Sequence, residues 1–388
     1  MYFFLSLHSQ KRKRQDKKTI KAMDGKPINK SNRITSIDSL RAFVLLGVFF
    51  THTWAGFSVK NAYVLSSTSD RVIDLFIREC LQFKCAMIFN MLFGISFYLI
   101  LRNPANSSGK FVWRCFLLAI FGILLKFFYW PDALMWYGFC GMFLVAFRHL
   151  SVKGLVLSVI FFYALAIVLS SHDIGSFLFN NYISDFNRYD EHVSFADAFR
   201  WWPSAIFVYL RHMFNNGIFY TFANFLIGYA LCKSGLVERM DRCVSITTVI
   251  VAFLAHLPFL FIPYEHNVSF VLKAPVVLTG AFFYAVLFVY IYNRHPFHQF
   301  LRLFEPYGRL GLTNYSMQGV VGVMVLCHCG LGFMQLSLTS LLFLALCFFI
   351  FQACFSYWWL QRFTYGPFEY LWRCAIERKW LPWRKKLC

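Results

Sequence analysis

Long apolar segments recur along almost the whole chain, and they constrain its fold more than any other feature. A membrane-spanning helix needs about 20 mostly apolar residues, with a range of roughly 17–25. Ten such segments are present: 38–57, 84–101, 112–129, 132–148, 152–170, 213–232, 243–263, 271–292, 311–331 and 338–361. Because 59% of the residues are hydrophobic and only 14% are charged, a water-soluble fold is excluded. The sequence therefore predicts an all-α, polytopic bundle of about ten transmembrane helices.

The basic residues are distributed unevenly between the two sides of this predicted bundle. With the N-terminus in the cytoplasm, 28 of the 38 Lys and Arg residues lie inside and 9 lie outside, while Arg41 falls within the first segment. Such asymmetry is typical of membrane proteins whose basic loops face the cytoplasm, so we predict that both chain ends are cytoplasmic. The net charge of +20 then reflects contact with anionic lipid and does not indicate nucleic-acid binding.

Three regions follow from this pattern. Residues 1–36 form a basic cytoplasmic tail. This tail is either disordered or partly an artefact of the assigned start codon, because translation from Met23 would remove the residues before it. Residues 37–361 form the transmembrane domain, and residues 362–388 form a basic cytoplasmic tail. The loop 171–212 is long and lies outside; its second part mixes aromatic and charged residues, which is typical of a helix on the membrane surface.

Charged and titratable residues in the first segment are the strongest candidates for chemistry, because charges inside a span are costly. Arg41 and His52 are 11 residues apart, which places them on one face of a helix, about 16 Å apart along its axis. Asp38 precedes Arg41 by three residues and can pair with it. His52 could take a proton from a hydroxyl, and Arg41 could hold a phosphate. Equally, Arg41 could snorkel to headgroups and His52 could be an interfacial polar residue.

Other polar residues are weaker candidates. Glu79 and Asp132 lie at predicted outer helix ends, where each could orient a histidine, and Asn314 lies within the ninth segment. Each could instead form hydrogen bonds between helices. The 12 cysteines are scattered and form no CxxC pair, so we expect no metal site. The predicted spans carry no carboxylate near their middle, which disfavours a proton-coupled transporter.

Five stretches of the chain resemble the YeiB-like family of bacterial membrane proteins, which carries a domain of unknown function, DUF418. They are 33–41, 113–148, 225–231, 308–315 and 365–373, the last containing a Gly-Pro-x-Glu-x-x-Trp-Arg block. The resemblance covers almost the whole chain. It implies a multi-pass protein of the bacterial inner (plasma) membrane.

More distantly, the chain is similar to membrane acyltransferases that acetylate envelope glycans, including the acyltransferase-three group. Those proteins carry an arginine, ten further residues and a histidine in an early span, and Arg41 and His52 match that spacing. The similarity implies an acetyl-CoA donor from the cytoplasm and an envelope glycan or lipid as acceptor.

The roles implied by this similarity can be assigned to particular residues. The catalytic group is His52 with Arg41 and Asp38, and the donor-binding cations are Arg41, Arg114 and Arg309. The acceptor site is formed by Glu79, Asp132, Asn314 and Trp201. A transporter or flippase for a small anionic or lipid-linked substrate is the competing hypothesis, and a structural or regulatory membrane protein is a third.

Overall fold

The computed structural model describes residues 34–55, 65–104, 106–126, 128, 132–169, 216–261, 270–326, 331 and 336–385. These residues form helices in the order α1 (Thr35–Trp54), α2 (Thr68–Phe76), a π-helix (Ile77–Leu81), α3 (Lys84–Leu101), α4 (Ser108–Leu125), α5 (Leu134–Leu144), α6 (Val152–Leu169), α7 (Asn216–Lys233), α8 (Leu236–Cys243), α9 (Ile246–His256), α10 (Phe270–Tyr292), α11 (Phe297–Arg302), α12 (Glu305–Arg309), α13 (Gly311–Leu326), α14 (Leu338–Arg362) and α15 (Pro367–Glu377). Short 3₁₀ turns, Val145–Phe147 and Leu257–Phe261, extend α5 and α9.

The predicted all-α membrane fold is confirmed. The helices long and apolar enough to cross a membrane are Thr68–Leu101, Ser108–Leu125, Val152–Leu169, Ala274–Tyr292 and Leu338–Arg362. Shorter apolar helices are Leu134–Phe147, Ile218–Lys233 and Ile246–Leu260. Each of the ten predicted segments overlaps a helix. The number of spans and the cytoplasmic location of both ends stay predictions, as does the loop 171–212, which lies outside the described residues.

Large apolar side chains cover the outward faces of the helices. In α6, Leu157 and Phe161 are 68% and 61% exposed, and in α14 Phe343 is 65% exposed. A soluble domain would bury such side chains, whereas a helix in lipid can be apolar all round. The exposed surface of α6 and α14 is therefore suited to hydrocarbon.

Glycine permits the closest helix contacts in the bundle. A β-carbon on Gly228 of α7 would lie 1.9 Å from the backbone oxygen of Met91 in α3, and one on Gly94 of α3 would lie 1.9 Å from that of Phe225. Small residues at such crossings let helix backbones approach within the distance at which main-chain atoms touch. At the α3–α7 crossing the two backbones are therefore in direct contact.

Helix α1 lies in the centre of the bundle and contacts α3, α10, α12, α13 and α14. At its N-terminal half, a β-carbon on Gly308 of α12 would lie 1.8 Å from the backbone oxygen of Asp38. Towards its C-terminal half, Gly47 faces Cys85 at the start of α3. We call these two regions the Arg41 end and the His52 end of the bundle.

Helix α2 is an element that the apolar pattern does not predict. Ser67 is its N-cap and forms a capping box with Asp70, whose side chain is fully buried. Asp70 Oδ1 also accepts hydrogen bonds from the backbone nitrogen and hydroxyl of Thr339, at 2.9 and 2.6 Å, in the first turn of α14. One carboxylate thus satisfies exposed N–H groups at two helix N-termini, where the helix dipoles favour negative charge.

Helices α13 and α15 cap each other in a similar way. The Glu369 carboxylate of α15 accepts hydrogen bonds from the backbone nitrogen of Thr313, at 3.0 Å, and from the Thr313 hydroxyl. The Thr313 hydroxyl oxygen in turn accepts from the backbone nitrogen of Phe368, at 3.2 Å. Each side chain supplies the acceptor that the other helix lacks in its first turn. Glu369 in the Gly-Pro-x-Glu block therefore has a structural role.

Candidate functional site

Arg41 and Asp38 form the ion pair that their spacing predicts. Arg41 Nη1 lies 2.8 Å from Asp38 Oδ1, and Arg41 Nη2 donates to Ser96 Oγ in α3 at 2.7 Å. The side chains of Arg41 and Asp38 are 25% and 5% exposed. These two bonds use two of the five N–H donors of a guanidinium group. Arg41 therefore joins α1 to α3 and retains donors that can take a further oxygen ligand.

His52 lies on the same unbroken helix as Arg41, so the spacing argument holds. At 1.5 Å per residue, the 11 intervening steps separate the two residues by about 16 Å along α1. His52 is partly buried. The adjacent Trp54 donates from its indole nitrogen to Asp74 Oδ1 of α2 at 2.6 Å, which anchors this end of α1.

Glu79 lies in the π-helix that follows α2, and its carboxylate Oε1 is 3.2 Å from Arg78 Nε. Its backbone oxygen accepts a hydrogen bond from Lys84 Nζ. The π-helix contacts α1, and α2, which leads into it, is bonded to Trp54 near His52 through Asp74. The proposed role of Glu79 in orienting a histidine stays a prediction.

Asp132 is fully buried and works as a cap. Its Oδ2 accepts from the backbone nitrogen of Leu134 in the first turn of α5 at 3.0 Å. Lys126, 3% exposed, donates to the Asp132 backbone oxygen at 2.7 Å, so opposite charges lie together inside the protein. This pair was not predicted from the sequence. A lysine six residues before a buried aspartate between two apolar runs was the available signal.

Asn314 belongs to a buried hydrogen-bond network that joins α12, α13 and α14. Its Nδ2 donates to the backbone oxygen of Tyr307 and to Ser356 Oγ, both at 3.0 Å. The Tyr307 hydroxyl donates to Gln352 Oε1 at 3.1 Å and accepts from Gln318 Nε2 at 2.7 Å. Both amide hydrogens of Asn314 are used within the protein. The network therefore stabilises the helix contacts and gives Asn314 no donor for a substrate.

The two other candidate donor-binding cations lie in different contacts. The Arg114 guanidinium of α4 is 4.7 Å from the ring centroid of Trp372 in α15, and the Trp372 indole donates to the Arg114 backbone oxygen at 3.3 Å. Arg309 is exposed at the end of α12, next to Gly308, which touches α1 beside Asp38. Arg41 and Arg309 are thus on adjacent helices, whereas Arg114 lies at the α4–α15 junction.

The remaining predicted acceptor-site residue, Trp201, lies outside the described residues. Within the part of the chain that the structure describes, no group of three or more His, Cys, Asp and Glu side chains is placed to hold a metal ion. Neither His256 nor Lys84 was singled out from the sequence. The structure places both side chains beside Gly280 of α10.

Comparisons with known proteins identify similar chains. Residues 231–379 match the family described as "Protein of unknown function (DUF418)". The chain is 26% identical to YxaH of Bacillus subtilis (strain 168), over 93% of this chain and 98% of that protein. It is 24% identical to a 39.9 kDa protein encoded in the amylase 3′ region of Bacillus acidopullulyticus, over 92% and 97% of the two chains.

A third relative is YeiB of Escherichia coli (strain K12), 24% identical over 88% of this chain and 95% of that protein. No solved structure matches the chain significantly. The relatives are matched from end to end, and the DUF418 region contains α8 to α15 with the Gly308, Asn314 and Glu369 contacts described above. Residues 231–379 therefore match the DUF418 family, and the chain is similar along most of its length to YxaH and YeiB.

Proposed function

We propose that this protein is a membrane O-acyltransferase. It transfers an acyl group, most simply acetyl, from cytoplasmic acyl-CoA to a hydroxyl of an envelope glycan or lipid at the bacterial inner membrane. The observation that carries the proposal is helix α1, which runs unbroken through the centre of the bundle from Asp38 and Arg41 to His52. A cation for the donor and a base for the acceptor thus lie at opposite ends of one buried helix.

The chemistry needs no covalent enzyme intermediate. The acceptor hydroxyl oxygen attacks the thioester carbonyl carbon, the C–O ester bond forms and the C–S bond breaks. His52 takes the hydroxyl proton and then gives it to the departing thiolate, so that charge and atoms balance. Confining the step within a helical bundle excludes water, which would otherwise hydrolyse the thioester.

Arginines at the Arg41 end supply the donor site in this proposal. Guanidinium groups bind phosphate through paired N–H donors. Arg41 uses two donors on Asp38 and Ser96 and keeps others. Arg309 lies on the neighbouring helix α12, and Arg114 is held in position by Trp372. The CoA phosphates are the anionic groups for which this side of the bundle is suited.

The acceptor side of the proposal rests on fewer residues than the sequence indicated. Glu79 lies in the π-helix beside α1 and keeps its proposed place near His52. Trp201 keeps its place in the proposed acceptor loop. Asp132 and Asn314 are used as a helix cap and as a helix–helix bond, so we propose that they support the site without touching the acceptor.

The test compares four strains: a deletion strain and the same strain complemented with the wild type, His52→Ala or His149→Ala. His149 is an exposed histidine and is the matched control. Ester-linked acyl groups on extracted envelope glycans and lipids are quantified by mass spectrometry at equal protein levels. We expect an acyl group that is lost on deletion to return with the wild type and His149→Ala, and not with His52→Ala.

Equal acyl content in all four strains would overturn the proposal for the molecules surveyed. The second candidate function, transport or flipping of a small anionic or lipid-linked substrate, is favoured by the burial of Lys126 beside Asp132 at the α4–α5 connection, since buried charges in membrane proteins often mark substrate pathways. Transport predicts that deletion changes the distribution of a substrate between cell and medium without changing its chemistry. Uptake into vesicles that contain the purified protein measures this directly.

A further inference from the structure

A buried histidine at the His52 end of the bundle has one ring nitrogen that the protein does not use. His256, the last residue of α9, is 2% exposed. Its Nδ1 lies 2.9 Å from Thr279 Oγ1 in α10. Its Nε2 is buried and has no hydrogen-bond partner among the described residues. A buried polar atom left without a partner costs about 1–3 kcal/mol, so this arrangement needs a reason.

The bond to Thr279 couples the tautomer of His256 to the direction of the Thr279 hydroxyl. The Thr279 hydroxyl oxygen lies 2.8 Å from the backbone oxygen of Pro275, to which it can donate. In that arrangement the hydroxyl oxygen accepts from His256, and Nδ1 is the protonated nitrogen. In the neutral ring, Nε2 then presents a lone pair. The unused group is a hydrogen-bond acceptor, held in one orientation by a second helix.

The surroundings of the ring limit what can bind there. A β-carbon on Gly280 would lie 2.8 Å from Lys84 Cε and 3.0 Å from His256 Cε1, so the lysine stem and the ring edge share the space beside this glycine. Lys84 is 2% exposed, and its Nζ donates to the backbone oxygen of Glu79. The ammonium of Lys84 repels a second cation, and a carboxylate has no hydrogen to donate. A neutral O–H is the donor that suits Nε2.

The backbone next to this cluster is also irregular. Lys84 follows the π-helix Ile77–Leu81 and a non-glycine residue in the left-handed region, Phe83, with φ of 60°. π-helical turns are often found at functional sites, and left-handed residues other than glycine are held there at an energetic cost. Lys84 therefore lies close to two independent features: the unused acceptor of His256 and the strained helix break at Phe83.

We infer that His256, Lys84 and Gly280 form a buried binding site for a hydroxyl-bearing ligand, such as a polyol or sugar, whose O–H donates to His256 Nε2. The ligand is recognised by a neutral hydroxyl and by the absence of positive charge next to it. This inference goes beyond acyl transfer and does not depend on it, because a transported polyol would be recognised in the same way.

Diethyl pyrocarbonate tests the site, since it reacts with the lone pair of a neutral imidazole nitrogen. The full-length protein is reconstituted in liposomes, treated with the reagent, and labelling of each histidine is measured by peptide mass spectrometry. His149 and His295 are exposed and serve as internal references. We expect His256 to be labelled despite its burial, and glycerol, the smallest polyol probe, to slow labelling of His256 several-fold while leaving both references unchanged.

Two variants sharpen the result. Thr279→Ser keeps the hydroxyl that holds Nδ1 and should keep the protection by glycerol. Thr279→Val removes that hydroxyl, frees the tautomer of the ring and should abolish the protection. No labelling of His256 while the references react would show a sealed core histidine, and labelling that glycerol does not slow would show an accessible ring with no hydroxyl site; either overturns the inference. Because labelling requires no acyl transfer, both results leave the proposed enzyme activity untouched.

Discussion

The two ends of α1 differ in how completely their polar groups are paired. At the Arg41 end, Arg41 donates to both Asp38 and Ser96, and Gly308 brings α12 into contact with the α1 backbone. At the His52 end, a π-helix and a left-handed residue interrupt the chain, and a buried histidine nitrogen lacks a partner in the described structure. Satisfied networks stabilise a fold, whereas unsatisfied groups in strained surroundings are typical of binding sites.

This difference changes how the sequence signatures should be interpreted. The stretches that resemble the YeiB-like family include Gly228, Gly308, Asn314 and Glu369, and in the structure these residues form helix crossings, a buried network and a helix cap. The role of these residues is to hold the helices together. Recognition of the proposed hydroxyl-bearing ligand is therefore to be sought at the His52 end, outside these stretches.

The largest expected effect is a loss of stability when the closest contact at the Arg41 end is blocked. In Gly308→Ala the new methyl group would lie 1.8 Å from the backbone oxygen of Asp38, so α1 and α12 must separate. We expect the free energy of unfolding to fall by about 3 kcal/mol, as for overpacked cores. Thermal unfolding in detergent, followed by size-exclusion chromatography, measures this.

The matched control is Gly154→Ala in α6, where the nearest side-chain atom, Leu150 Cβ, is 3.5 Å from the new carbon. This change should leave the midpoint of unfolding equal or raise it, because alanine favours a helix by about 1 kcal/mol relative to glycine. Equal midpoints of unfolding for Gly308→Ala and Gly154→Ala would contradict the close contact between α12 and α1 at the Arg41 end.

A second, somewhat smaller effect concerns the ion pair. Arg41→Ala leaves the carboxylate of Asp38, 5% exposed, without its guanidinium partner, and should cost about 2 kcal/mol of stability. Asp38→Asn/Arg41→Met removes both charges and should cost less than Arg41→Ala alone, because no buried charge is left unpaired. A double-mutant cycle of thermal unfolding gives the coupling.

The same variants separate stability from catalysis. If Arg41 also holds a donor phosphate, Asp38→Asn/Arg41→Met is stable but fails to restore acyl transfer. Restoration of transfer by this double variant would limit Arg41 to the structural role. An unchanged unfolding midpoint for Arg41→Ala would contradict the ion pair as a stabilising contact.

Apolar length and charge asymmetry are local signals, and they were sufficient to predict an all-α membrane bundle and the approximate positions of its long helices. They could not predict α2, α8, α11, α12 or α15, which are short or amphipathic, although the capping box of Ser67 and Asp70 was visible in the sequence. The pairing of Asp38 with Arg41 was predictable because both lie on one helix.

Contacts between segments that are far apart in the sequence could not be predicted. The approach of Lys84 and His256 to Gly280 depends on how three helices pack, and no periodicity encodes it. The same applies to Lys126, whose burial follows from the short connection between α4 and α5. For this reason the sequence identified candidate chemistry on α1 and missed the histidine whose environment is the least satisfied.

A gain of stability is expected at the strained position of the His52 end. Phe83 has φ of 60° and is 49% exposed, so glycine removes the left-handed strain and loses little buried area. Phe83→Gly should raise the free energy of unfolding by about 1 kcal/mol. Phe83→Ala keeps the strain and is the control, which should show no gain. Equal destabilisation by both substitutions would show that the left-handed turn stores no strain.

The smallest effects are opposite pH dependences at the two ends of α15. Burial raises the pKa of Glu369, where the carboxylate caps α13, and the hydrogen bond from Lys110, 2.6 Å away, lowers the pKa of Glu377. A raised folded-state pKa gives stability that is complete below the ordinary pKa of glutamate and is lost as pH rises. A lowered one gives stability that is complete above that pKa and is lost as pH falls.

Unfolding midpoints of the wild type and of Glu369→Gln and Glu377→Gln, measured between acidic and neutral pH, therefore separate the two groups. The advantage of the wild type over Glu369→Gln should shrink as pH rises above the ordinary range of glutamate, because the buried carboxyl must then ionise. Its advantage over Glu377→Gln should shrink as pH falls into that range, by less, since this carboxylate is 35% exposed and screened by solvent. Parallel pH profiles for the two variants would contradict the difference in burial along α15, and with it the interpretation of the Glu369 cap as an interior contact between α13 and α15.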